Sequence, residues 1–214
     1  MRDKLSNAAQ GIAEFLPARE RRLFDRLAEE SAEVIVFGSR ATEVHSKVSD
    51  LDIFCIGLSE RFKSTRLDIV SRKPSEVEDL KWLGSELAGH IAAYGIVIRG
   101  RGDWRSATNL SEAAISRKER RVIALVDGLW TYWDRIHPEF RRKHLTTIRR
   151  EVQRLQLLVA GVAVPPSPTL DHRWKNEYEA AEKWARSVRT IKTSGAGARD
   201  RLLRTTDLII PQRH

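Results

Sequence analysis

The stretch at residues 34–57, VIVFGSRATEVHSKVSDLDIFCIG, constrains the fold more than any other part of the chain. It is entered by EVIVF, a β-branched and aromatic run at 33–37 that is too short for a helix and ends at Gly38, so a buried strand is predicted there. Between Arg40 and Ser49 apolar periodicity is lost, and a loop or a single helical turn is expected before DLDIFCIG resumes strand character. Strand side chains alternate faces, so Asp50 and Asp52 should project to one side while Leu51 and Ile53 point the other way, toward a core.

Helical patterns surround these strands. Leu5, Ala8, Ala9, Ile12 and Leu16 fall at helical spacing over residues 3–16 and stop at Pro17, and Leu23, Phe24 and Leu27 give residues 18–31 one apolar stripe amid Arg and Glu. A third strand is predicted at RLDIV, 66–70, then one helix over 75–94 with Ser75 as N-cap, then a fourth strand at GIVIRG. From Ser111 onward only helical spacing remains. Val122, Leu125, Val126, Leu129 and Trp133 define one helix, and Leu145, Ile148, Val152, Leu155, Leu158 and Val159 a second that must end before VPPSP at 164–168. Trp174, Tyr178, Ala181, Ala185 and Val188 define a third, followed by a joint at TSGAGARD and a docking segment at LLRTTDLII. The tryptophans of this half are read as packing anchors in preference to base-stacking platforms. The expected fold is α+β: a small mixed sheet flanked by helices in residues 1–110, then a basic helical bundle in residues 111–214.

Composition narrows the class. A chain of 214 residues with 41% hydrophobic content can fold around a core. No run approaches the roughly 18 apolar residues of a membrane span, and the N-terminus mixes charges into its apolar positions, so a cytoplasmic protein with no membrane partner is expected. The single cysteine, Cys55, excludes an internal disulfide framework and a Cys-clustered zinc site, and within LDIFCIG it reads as a small buried hydrophobe. Net charge is +9, and residues 111–214 carry all of the excess. That asymmetry fits a polyanionic partner, RNA or an acidic protein, and equally fits solvated helix faces.

Chemistry points to the aspartates. Two carboxylates about 4 Å apart repel by about 4 kcal/mol at an effective dielectric near 20, unless a cation lies between them. Mg²⁺ takes hard oxygen ligands and commonly uses one or two carboxylates plus substrate phosphate oxygens, which an Asp-x-Asp strand end supplies. Gly38 lets the backbone approach a phosphate without a Cβ in the way, and the Ser39 hydroxyl and adjacent amides can donate to it. Arg40 either adds charge there or faces solvent.

Gly-Ser, a connection of about ten residues and SDLD together resemble the signature of the DNA polymerase beta superfamily of nucleotidyltransferases, in particular its minimal members. The resemblance spans about residues 30–100 and implies a set of roles. Gly38 and Ser39, with Arg40 and Ser49 beside them, would bind the nucleoside triphosphate. Asp50 and Asp52 would hold two Mg²⁺ ions, with Mn²⁺ as the alternative. Asp68, a third acid on a neighbouring strand, would ligate one ion and activate the acceptor hydroxyl of RNA or protein for attack on the α-phosphorus, with release of pyrophosphate. A surface aspartate on an edge strand is the competing reading for Asp68, and Asp103 in GRGDW is a weaker candidate for the third acid.

Three alternatives accompany that resemblance. Minimal members often act as antitoxins beside a helical ribonuclease that carries Arg followed after four to six residues by His, and none of His137, His144, His172 and His214 has an Arg at that distance upstream. His45 and His90 read as polar surface or helix residues. An antibiotic adenylyltransferase would face repulsion between a basic helical half and a polycationic substrate. A degenerate nucleotidyltransferase would bind a nucleotide or partner without turnover, which the presence of all three acids counts against.

Overall fold

The computed structural model describes residues 11, 14–57 and 62–172. The chain divides into two compact units: the first runs up to Ser111 and takes back Ala163–Thr169, and the second is built on Glu112–Val162 with residues from Leu170 onward. The expected helix at 3–16 lies mostly outside the described residues, and the third C-terminal helix, the joint and the docking segment lie wholly outside them.

The first unit follows the hydrophobic pattern closely. Helix α1 (Ala18–Glu30) leads into β1 (Glu33–Phe37), a single turn α2 (Gly38–Ala41), and β2 (Leu51–Ile56). A short strand β3 (Phe62–Lys63) then turns back on β4 (Leu67–Arg72). The sheet order is β3-β4-β2-β1-β5, with β5 spanning Ile96–Arg99. β1 is antiparallel to both β2 and β5, whereas β2 and β4 run parallel, so the sheet is mixed as expected.

Both sheet faces are covered, which is why β1 is buried along its whole length. Phe24 and Leu27 of α1 pack on one face against Val34, Val36, Leu51, Ile53, Cys55, Leu67 and Ile69. On the other face Ile35, Phe37, Phe54 and Ile56 meet Trp82, Ala88, Ile91 and Trp104. Phe54 stacks on Trp82 with ring centroids 5.0 Å apart, and Trp104 leans on both. A buried carboxylate fastens the GRGDW loop to this layer: Glu33 accepts from the Trp104 indole N–H at 2.7 Å and from the Gly102 amide at 2.8 Å.

Two local expectations need correction. The single helix predicted at 75–94 is three: α3 (Pro74–Val77), α4 (Leu80–Leu83) and α5 (Glu86–Tyr94). Asp79 caps α4 by accepting from the Lys81 amide, and Ser85 caps α5 by accepting from Ala88, so polar side chains inside the apolar pattern compete with continuous helix. Ser75 lies within α3 instead of capping it. Where four strands are predicted, the described residues form five. β3 is too short to leave a periodic signal of its own.

In the second unit, α6 (Glu112–Thr131) and α7 (Pro138–Val159) form an antiparallel pair through Val122, Val126, Leu129, Leu145, Ile148, Val152 and Leu155. Pro138 opens α7, where a missing N–H costs nothing. Glu151 is buried yet receives three cations: Lys118 at 2.7 Å, Arg154 at 3.0 Å and Arg121 at 3.3 Å. Among the described residues no helix is long and apolar enough to cross a membrane.

Candidate active site

The site forms where β2 and β4 begin. Parallel pairing sets Leu51 opposite Leu67 and Asp52 opposite Asp68, so one register buries the two leucines on one face and presents the two acids on the other. Asp50 immediately precedes β2. Asp50, Asp52 and Asp68 each bring one carboxylate oxygen within 4.8 Å of the other two, and each residue is half-buried. Asp103 sits in a 3₁₀ turn, Asp103–Ala107, and is not part of this group.

The turn after β1 faces the same acids. Gly38 has φ +75°, and a Cβ built there would fall 2.1 Å from Asp52 Oδ2. A glycine is therefore demanded twice, by backbone conformation and by the carboxylate that occupies the space a side chain would take. Besides the close phosphate approach expected from the sequence, Gly38 makes room for Asp52.

Arg40 and Ser49 are linked to each other. The Arg40 guanidinium donates twice to the Ser49 carbonyl, at 3.1 and 2.8 Å, and lies over the Phe15 ring. Burial and the nearby Arg66 lower its affinity for the proton, and Asp50 acts in the opposite direction. The Ser49 hydroxyl accepts from the Ser46 amide at 3.0 Å, and Arg66 donates to the Lys47 carbonyl at 3.2 Å. The connection that looked featureless in sequence is thus gathered by two arginines and a serine.

Electrostatically the acids are in conflict. Burial, then the carboxylates of Asp50 and Asp68, push the Asp52 carboxyl up to about 7, with Lys63 working against them. Lys63 is the residue that the sequence did not flag. It stands directly across the β3–β4 pair from Asp68 and its ammonium binds the Asp68 carboxylate, which holds the lysine above its usual range. Its signal was the tight Ser64–Thr65–Arg66 reversal in RFKSTRLDIV, which sets Lys63 against Asp68 once the hairpin is seen.

Three clustered carboxylates with hard oxygen donors, one of them pressed toward its neutral form by burial and then by its neighbours, suit a divalent cation that would relieve their repulsion. Residues 20–90 match the family model of the nucleotidyltransferase domain, and the match covers the whole of the strand pair, turn and acids just described. That match is consistent with a nucleotidyltransferase of the polymerase beta type. No curated protein matches the chain.

Proposed function

We propose that the protein is a metal-dependent nucleotidyltransferase that moves a nucleoside monophosphate from a nucleoside triphosphate to a hydroxyl acceptor. The observation that carries this reading is the convergence of Asp50, Asp52 and Asp68 beside the Gly38 turn inside a nucleotidyltransferase domain. Asp50 and Asp52 would hold divalent ions, most naturally Mg²⁺, and Asp68 would share one of them. Bound ions there would neutralise phosphate charge and lower the proton affinity of the acceptor hydroxyl.

The chain's own groups supply the rest. Gly38 and Ser39 offer backbone and hydroxyl donors to the triphosphate at the start of α2, while Arg40, by clamping the Ser49 carbonyl, holds the connection that carries Asp50. The acceptor oxygen forms a bond to the α-phosphorus as the α–β phosphoanhydride bond breaks. Pyrophosphate leaves with the bonding electron pair, and the hydroxyl proton passes to the Asp68 carboxylate.

Incubation with each of the four labelled ribonucleoside triphosphates and Mg²⁺, in the presence of RNA, protein and small-molecule acceptors, tests the proposal. Label in an acceptor, with stoichiometric pyrophosphate, is the expected result. Label in no fraction with any triphosphate would leave the domain as a binding module.

A further inference from the structure

The first half of the chain has no net charge of its own, yet its charges are sorted in space. Arg19, Arg22 and Arg26 fall on one face of α1 at helical spacing and are exposed, and with Leu23 and Phe62 they line a cleft of about 410 Å³. Phe62 also borders a second cleft of about 430 Å³, whose other walls are Lys63, Asp68, Ile69, Val70 and Arg72. The two clefts meet at the β3 edge strand. Arg72 is held over the Trp82 ring, 5.1 Å from its centroid, so the far wall presents an ordered cation.

Together these residues form a basic path that starts on α1, rounds the β3 edge of the sheet past a half-buried phenylalanine and ends at Asp68 on the opposite face. Glu30, one turn beyond Arg26, closes the row at its other end. Arg19, Arg22 and Arg26 follow one another about 4.5 and 6 Å apart along the helix axis, a row about 10 Å long. Cations at that pitch next to an aromatic face are what a single strand requires, since phosphates pair with the former and a base stacks on the latter. The ring favours a polynucleotide, every base of which has a face to stack, over an acidic protein segment.

We infer that the α1–β3 face is a docking track for single-stranded polynucleotide, which delivers a terminal hydroxyl to Asp68. The inference rests on the proposed transfer reaction for the role of Asp68, and on the charge and ring placement for the track itself.

Binding of a labelled single-stranded oligoadenylate RNA to the full chain, read by fluorescence anisotropy without triphosphate over a salt series, tests the track apart from the chemistry. The Arg19→Ala/Arg22→Ala/Arg26→Ala variant is expected to bind at least about tenfold more weakly, and its log–log salt slope to flatten by about 2. The corresponding triple Arg→Lys variant keeps most of the affinity and serves as the check on folding. Phe62→Leu weakens binding by about fivefold or more. Unchanged affinity in the triple Ala variant overturns the inference, as does loss of binding in Arg117→Ala/Arg120→Ala on α6 instead. Polyglutamate that competes as well as RNA would equally overturn it, by pointing to an acidic protein. Asp50→Asn/Asp52→Asn retains RNA binding, so absent transfer with intact binding would count against the reaction only, and intact transfer to a small acceptor with no RNA binding against the track only.

Discussion

A buried acid and a half-buried one in this molecule meet opposite electrostatic fates. In the second unit Glu151 is more deeply buried than any of the three aspartates, and burial alone would raise its pKa; the hydrogen bond from Lys118, then the charges of Lys118, Arg154 and Arg121, override that and leave it lowered. In the first unit burial, and after it the like charges of Asp50 and Asp68, raise the Asp52 carboxyl to about 7. A buried carboxylate with its cations built in is a structural joint. One that must look outside the chain for a counter-charge is a site.

Breaking two of the three acids of the site should have the largest effect. Asp50→Asn/Asp52→Asn is expected to reduce transfer by on the order of 10³-fold or more, with an unchanged circular dichroism spectrum, because the amides ligate metal poorly. Residual activity at the wild-type level would place the chemistry elsewhere. The matching break in the second unit, Glu151→Gln, should cost stability instead: about 3–5 kcal/mol in urea denaturation, since Lys118 would stay buried without its counter-ion. Replacing the pair together, Lys118→Met with Glu151→Leu, should recover most of that loss.

The pH dependence sharpens the contrast. A carboxyl whose pKa is higher in the folded chain than in the unfolded one favours folding fully below about pH 4, and that contribution is lost as pH rises through about 7. The metal-free protein should therefore lose melting temperature over this window. Asp52→Asn should melt above wild type at pH 8 but not at pH 4, and Mg²⁺ should raise the wild-type midpoint at pH 8 while leaving the variant nearly unmoved. A wild-type profile that is flat between pH 4 and 7 would show that the acids are not in conflict.

Smaller effects complete the set. Gly38→Ala, with its Cβ forced against Asp52, should cost about 1–2 kcal/mol of stability and most of the Mg²⁺-induced shift, read by the same thermal melts. Arg121→Ala, whose side chain is mostly exposed, should change stability by less than about 1 kcal/mol.

Much of this arrangement was legible in residue order. Alternation along EVIVF and LDIFCI gave the buried strands, and it also gave the common side of Asp50 and Asp52, because a period of two is set by covalent geometry. What alternation could not give is which strand lies beside which. The pairing of Asp52 with Asp68 depends on a parallel register, and Lys63 becomes visible only when β3 folds back on β4. The split of 75–94 into three helices was hidden for another reason: Asp79 and Ser85 sit within a good apolar period, and only the backbone reveals that their side chains cap new starts. The sorting of charge on α1 is likewise invisible in a net count, which is zero over the first half of the chain.

The return of Ala163–Thr169 to the first unit has a practical side. The Val164 carbonyl meets His90 Nδ1 at 2.6 Å, the Ala163 carbonyl accepts from the Tyr94 hydroxyl at 3.3 Å, and Val164 is itself buried. Truncation after Ser111 would strip a clasp from α5 and bare its apolar seat, so a fragment cut there should be expressed with a peptide of that sequence supplied in trans, or the gene left whole.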